Sequence, residues 1–467
     1  MVKFKKISDV EWEIPIEGKM KVPITIFASA NLLEKIKQDN TIKQAMNMAS
    51  LPGVLKNIVV CPDAHTGYGF PIGGVAAFDI EDGVIAPGGV GYDINCSVRL
   101  LRTNLTEEDL KGKEREIAHS LFRTIPSGVG RGGKLNLTKE ELNEILINGA
   151  QWMIKKGYGQ KDDCLHIEEN GKMSGANPDF VSQKAKGRGL SQLGSLGAGN
   201  HFLDVLIVDE VFDKNIAKVF GLKKGQVVIM IHCGSRGLGH QVATDYMELM
   251  DEKDGHSDFD KKLVNAPINS NLGKKYFGAM ASAANFAFAN KQLITHYVRE
   301  DMKHYFPNFK AEVVYDISHN IARFEKFNGK EVLIVRKGAT RSFGPGKKEI
   351  PEDYRSVGQP VLIPGSMGTP SYVLCGTKKA EEISWGSTAH GAGRIRSRTE
   401  SHKKMSFEDA KKDMEKRKVF VEFGKKKGLI EESPFSYKDI EEVVRVSDES
   451  GIGKKVARLK PILVIIG

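Results

Sequence analysis

The stretch Val227-Val-Ile-Met-Ile-His232-Cys233-Gly234-Ser235-Arg236-Gly-Leu-Gly-His240 decides how this chain is read. Its first half is an apolar, β-branched run of strand length, Gly-Ser-Arg breaks it, and residues 236–251 then carry helical spacing. A strand that passes into a helix through a polar turn belongs to a mixed α/β architecture, and strand-end turns are where sites are built. Working outward, strand-like runs occur at Ile58–Cys61, Asn95–Arg102, Glu312–Ile317, Val332–Val335, Pro360–Ile363, Ser371–Cys375 and Ile462–Ile466. Helical patterns cover 107–122, 139–156 and 274–305, the last rich in alanine, and the Lys-rich run 403–427 reads as a surface helix. Gly73-Gly74-Val75 and Gly88-Gly89-Val90 echo each other and read as a hairpin-like unit. No regular β-α-β-α alternation appears, so the expected fold is mixed α/β (α+β). It is read as one domain over 1–467, with a mixed sheet or sandwich core and helices outside.

The 467 residues are 40% hydrophobic and 27% charged, which is globular composition and excludes a disordered chain. No apolar run reaches membrane-spanning length, and the N-terminus lacks the apolar segment of a secretory signal, so a cytoplasmic protein is expected. A net charge of +10 is compatible with a polyanionic partner such as nucleic acid. Five cysteines without a C-x-x-C pair exclude a disulfide framework and a zinc ribbon, so any functional cysteine acts singly. Glycine, at 49 residues, is about 10% of the chain against a usual value of about 7%.

Five histidines lie in Gly-, Asn- or Cys-rich turns at strand ends: His65, His201, His232, His319 and His390. Asp93 and Cys96, three residues apart, can aim a carboxylate and a thiolate at one point. With imidazoles from His201, His232 and His319, they make a mixed O/S/N donor set suited to Mn, Zn or Fe. Cys61, Cys164, Cys233 and Cys375 read as packing residues; Cys233 falls on the opposite strand face from His232. Gly128-Val-Gly-Arg-Gly-Gly-Lys134 mimics a phosphate loop, but Leu135 replaces the hydroxyl residue that would hold Mg²⁺, and it reads as a basic loop. Phosphate cradles are better sought at Gly365–Thr369 and His390–Arg394, where small residues let backbone N–H groups approach. Arg188, Arg236, Arg341, Arg394, Arg396 and Arg398 concentrate beside these segments as candidate phosphate forks. His390, between a glycine loop and Arg394, suits a phosphoramidate-forming nucleophile.

Taken together, Asp63-Ala-His-Thr-Gly-Tyr-Gly-Phe-Pro-Ile-Gly-Gly, Gly-Gly-Val-Gly-Tyr-Asp93-Ile-Asn-Cys96, Gly-Asn200-His201-Phe, His232-Cys-Gly-Ser-Arg236-Gly-Leu-Gly-His240, Asp316-Ile-Ser-His319-Asn, Pro364-Gly-Ser366-Met-Gly-Thr and His390-Gly-Ala-Gly-Arg394 closely resemble the RtcB family of RNA-splicing ligases. The resemblance implies a GTP- and Mn²⁺-dependent ligase. Such an enzyme joins RNA 2′,3′-cyclic phosphate or 3′-phosphate ends to 5′-hydroxyl ends, in tRNA splicing or RNA repair. It implies two ions, one at Asp93, Cys96 and His201 and one at Cys96, His232 and His319, with His390 as the guanylylated residue. Asn200, Phe202, Asp204, Ser366, Gly391, Ala392, Gly393 and Tyr437 match positions around the guanine nucleotide. Arg236 matches a catalytic position, and Arg188, Arg394, Arg398 and Lys404 match basic residues at RNA ends. RNA is the implied partner, and the family often uses an archease-type activator. Two departures stand out: the family usually has Glu where this chain has Asp204, and Lys-Gly where it has Ile466-Gly467, so weaker GMP binding or a relaxed purine choice is expected. The competing readings are a metal phosphoesterase that opens cyclic phosphates without ligating, and a non-catalytic RNA-binding protein.

Overall fold

Strand Gln226–Cys233 does lead into a helix, Arg236–Asp254, and lies inside a large sheet. The structure is a computed structural model that describes residues 2–128, 130–254 and 263–467. Its eight-stranded sheet runs in the order 311–318, 97–106, 226–233, 202–211, 454–466, 371–375, 360–363, with Phe420–Phe423 added parallel to Lys454–Ile466. A seven-stranded sheet orders 5–6, 11–14, 24–27, 58–65, 72–79, 330–337 and 320–327, with one parallel pair, 24–27 beside 58–65. Strands of both sheets contribute to one apolar core, which includes Ile26, Val60 and Val335 from one and Val98, Met230 and Val373 from the other. The mixed α/β expectation holds. Among the described residues, no helix is long and apolar enough to cross a membrane.

Helix Asn271–Tyr305 runs through the interior, and Ala279, Ala281, Ala283, Ala284, Ala287 and Ala289 are all fully buried. Small side chains allow neighbours on several sides, as the alanine pattern predicts. Its buried polar residues then act as anchors. Asn285 accepts from the Met173 N–H at 2.7 Å, and Asn290 accepts from the Gly194 N–H at 2.7 Å and donates to Cys233 Sγ at 3.2 Å. The second bond places Cys233 away from His232's partners, as strand alternation predicts.

Three expectations are corrected. The Gly-Gly-Val echo is no hairpin: its first copy lies in strand Ile72–Asp79, its second in helix Pro87–Val90, and Val84–Ile85 pairs with Ala266–Pro267. Pro87, with its fixed φ, starts that helix at a position where its missing N–H costs nothing. The run 403–427 divides into helices Arg398–Lys404 and Phe407–Arg417, strand Phe420–Phe423 and helix Lys426–Glu431. Ser397 and Ser406 cap the first two helices, and the edge of Lys454–Ile466 draws the third segment into a strand. Arg341, a candidate phosphate ligand, is instead buried beside Glu168 and Glu169, at 3.4 and 3.5 Å, and braces the core.

Glu168 also pairs with Arg323 at 2.8 Å and accepts from the Ser318 N–H at 2.9 Å. Burial works against its charge, but Arg323 and Arg341 prevail and bring it down to about 2. A carboxyl depressed in the folded state contributes stability above its unfolded range, which is lost as pH falls from about 4.5 toward 2. Glu168→Gln leaves two arginines underpaired and is expected to cost about 3–5 kcal/mol at neutral pH. It should also flatten the stability decline below pH 4.5, both readable by urea unfolding across pH.

Candidate active site

Strand Ser97–Thr106 begins at the residue after Cys96, strand Gln226–Cys233 ends just past His232, strand Phe202–Val211 begins after His201, and strand Ala311–Ser318 ends before His319. These are neighbouring strands of one sheet, and their antiparallel pairing brings four chain segments to the same end. Cys96 Sγ lies 3.4 Å from His201 Nε2 and 3.2 Å from His232 Nε2. His232 Nε2 lies 3.3 Å from His319 Nε2, and Asp93 Oδ2 lies 2.7 Å from His201 Nε2. Two donor groups result, Asp93–Cys96–His201 and Cys96–His232–His319, each with ligand atoms within 4.8 Å of one another.

This arrangement fits divalent cations for reasons internal to the fold. The Nδ1 atoms of His201, His232 and His319 lack partners, while their Nε2 atoms face one another, Cys96 and Asp93 across the cluster. Burial pushes His232 and His319 well below the ordinary imidazole value, assisted by neighbouring imidazoles, which keeps them neutral and able to offer lone pairs. Burial and Asp93 push the Cys96 thiol up, so a thiolate there calls for an adjoining cation. Burial would raise Asp93, yet His201 and Arg236 hold it down to about 2. Asp93 also accepts from the Ser235 N–H at 3.1 Å, and a Cβ at Gly234 would stand 2.3 Å from its carboxylate, so glycine is required at this approach.

His390 stands beside these donors, its ring centroid 4.8 Å from that of His319. Asp63 Oδ2 lies 2.5 Å from His390 Nδ1 and accepts from the His390 N–H at 3.1 Å. The ring contact is off hydrogen-bond alignment and acts as a charge contact. Asp63 is fully buried within the irregular register between Val60 and His65, a bulge that turns its side chain toward the His390 loop. His390 and His232 line a cavity of about 970 Å³. Asn200, Phe202, Asp204, Ser366 and the segment 391–393 line it too, as do Tyr437, Arg394 and Arg398. Asp93, Cys96, His201 and His319 lie behind this wall rather than on it. His65 is on the wall, but burial brings it down to about 4 and it joins neither donor group.

Not every expected residue enters the cavity. Arg236, with φ 54, donates to Ser195 Oγ and the Gly128 carbonyl, both at 3.2 Å, close enough to act electrostatically on Asp93 but off the wall. Arg188 is exposed on helix Gln183–Leu190, and Lys404 is held by Glu400 at 2.7 Å. Arg394 donates to Tyr437 Oη at 3.1 Å and lies 5.0 Å over the Tyr437 ring, while Arg398 pairs with Glu431 at 3.2 Å. Three wall or support residues were not anticipated: Asp63, Glu432 and Lys438. Glu432 bonds Tyr437 Oη, and Lys438 Nζ donates to the carbonyls of Pro62 and Ala64, its pKa brought by burial to about 8. At the far end, Asp204 is buried with Oδ1 unpartnered, and burial pushes its carboxyl well up.

The two donor groups could hold metal ions, with His390 and the cavity beside them. The profile of the family "tRNA-splicing ligase RtcB" matches residues 44–467, and the chain belongs to that family. The tRNA-splicing ligase RtcB of Thermococcus kodakarensis is 50% identical over 479 aligned residues, covering 100% of this chain and 99% of that protein. The protein of the same name from Archaeoglobus fulgidus is 49% identical, covering 99% and 98%. The RNA-splicing ligase RtcB homolog 1 of Entamoeba histolytica is 46% identical, covering 91% of this chain and 83% of that one.

Because Cys96 belongs to both donor groups, Cys96→Ala should abolish binding at both, lowering Mn²⁺ stoichiometry from about two ions to well below one. His201→Ala and His319→Ala should each remove one ion. Equilibrium dialysis with metal analysis of the folded variants distinguishes the three outcomes.

Proposed function

We propose that this protein is a GTP- and Mn²⁺-dependent RNA ligase that joins 2′,3′-cyclic phosphate or 3′-phosphate ends to 5′-hydroxyl ends, as in tRNA splicing. The observation that carries this reading is the position of His390: it lines a nucleotide-sized cavity while its ring stands 4.8 Å from His319 of a five-residue donor set. The family membership and the names of the relatives support RNA ligation.

With Nδ1 engaged by Asp63, Nε2 is the nitrogen left to attack the α-phosphorus of GTP, forming an N–P bond as pyrophosphate leaves. Asp63 stabilises the positive charge that develops on the imidazole, and by accepting from the His390 backbone N–H it holds the residue beside the donor groups. Bound at the two donor groups, divalent ions would supply Lewis-acid stabilisation of phosphoryl charge. Water first opens a cyclic end to a 3′-phosphate; Ser366 and the backbone of 391–393 surround the nucleotide, and Arg394 and Arg398 favour the RNA 3′-phosphate that takes GMP from His390. The 5′-hydroxyl then displaces GMP and seals the strand. Asp204 is placed to accept from the N–H edge of guanine, and the neighbouring Ile466 contributes apolar surface without a cation.

Incubation with α-labelled GTP and Mn²⁺ should give acid-labile label on the protein, absent from His390→Ala. No label with GTP, ATP or an added archease would exclude the ligase reading and favour a metal phosphoesterase. Asp63→Asn should reduce the labelling rate by about 10²-fold or more while leaving nucleotide affinity nearly unchanged, as single-turnover kinetics can show. In competition, ATP should displace GTP more effectively than in relatives carrying Glu and Lys at the positions of Asp204 and Ile466. Asp204→Asn should narrow the remaining preference about tenfold or more.

A further inference from the structure

The strands that deliver Cys96, His201, His232 and His319 to one end of the sheet have their opposite ends at a second cavity, of about 640 Å³. Arg102, Val211, Gln226 and Glu312, one from each of these strands, all line it. Six residues separate Cys96 from Arg102 and His232 from Gln226, so the two sites stand about 20 Å apart through the sheet. The second cavity plays no part in the chemistry derived above.

Its rim is strongly basic. Lys214, Lys218, Lys223, Lys224 and Lys310 line it, all exposed, and none has a carboxylate within ion-pair distance among the described residues. Glu312 is the sole lining carboxylate, and Arg102 already neutralises it at 2.8 Å. The concentration of cations is held by the backbone: Lys223 and Lys224 lie between Gly221 and Gly225, whose φ values are 69 and 82. A Cβ at Gly221 would stand 2.2 Å from Arg102, so the turn packs directly on that arginine. The lining also carries apolar residues, the half-buried Val211 and the buried Ala217 and Leu222.

Unpaired ammonium groups beside apolar lining residues match a polyanion whose charged backbone carries flat apolar groups, which is the chemistry of an RNA strand with an unstacked base. We propose that this cavity is a remote docking site for the body of the RNA whose end reacts at His390. The inference rests on the ligase reading for the identity of its RNA. Its own consequence is length dependence, because about 20 Å of sheet separates the two sites, so only nucleotides removed from the junction can reach the second cavity.

The test is the variant Lys218→Ala/Lys223→Ala/Lys224→Ala, made in the full chain and assayed with two substrate lengths. Ligation of ends only about two nucleotides long, too short to cross about 20 Å of sheet, is expected to be unchanged. With tRNA-half-length RNA, KM is expected to rise about tenfold with kcat unchanged. The slope of log affinity against log salt should fall by about one per lysine that contacts phosphate. Equal kinetics for both proteins on the long RNA would overturn the proposal, as would equal loss on both lengths. An acidic protein as the true occupant would give the first of these results. If the unsubstituted protein ligates neither length, the ligase reading fails, while fluorescence anisotropy of the long RNA across the same variant and salt series still decides the docking site.

Discussion

The convergence of lone pairs on Cys96 constrains the rest of the structure. A sulfur 3.4 Å from one imidazole nitrogen and 3.2 Å from another, with a third imidazole and a carboxylate adjoining, is an arrangement that hydrogen bonding alone does not satisfy. Buried unpaired donors and acceptors each cost on the order of 1–3 kcal/mol. The cluster persists because four sheet segments and the Gly-Ser turn after Cys233 leave its members little room to relax.

Behind it lies a layer of buried ion pairs that holds those segments in register. Arg99 pairs with Asp316 at 2.8 Å, beside the fully buried Lys291, joining the Cys96 strand to the strand that ends at His319. Glu168 binds the Ser318 N–H and two arginines, fixing the approach to the same histidine from the other side. Buried pairs are poor sources of net stability, but removing one partner costs about 3–5 kcal/mol, and that penalty resists displacement. The centre is thus positioned by electrostatic groups that themselves never meet a substrate.

This layering explains what was legible in the sequence. His232, Cys96, His201 and His319 stood out because their residue types occur in Gly-, Asn- or Cys-rich turns at the ends of apolar runs, and local pattern carries that information. Strand Phe202–Val211 was not anticipated although its apolar content is high, because its neighbours come from residues 226–233 and 454–466. Asp63 was visible as a residue and invisible as a partner of His390, since a bulge and a separation of 327 residues decide their contact. Arg341 misled for the complementary reason. Its guanidinium suits phosphate, but Glu168 and Glu169 reach it from a turn in which Glu169 and Asn170 adopt φ of 55 and 51, a geometry no periodicity encodes.

The same strand alternation sets the character of the cavity's far end. Phe202 and Asp204 face the cavity while Leu203 and Val205 join a separate apolar cluster with Ile229, Ile231 and Val298, and the pairing of 202 with 466 and 204 with 464 brings Ile466 and Val464 to the same wall. Asp204 therefore sits among apolar neighbours, with burial as the cause of its raised pKa. Burial there disfavours the charged carboxylate, and a ligand offering N–H donors to its oxygens would favour it. A cation at position 466 would favour the charged form beforehand; isoleucine removes that bias. A ligand without such donors would leave a buried carboxyl oxygen unpaired, at a cost on the order of 1–3 kcal/mol, so the apolar surround of Val464 and Ile466 makes this end of the cavity sensitive to the hydrogen-bonding edge of whatever fills it.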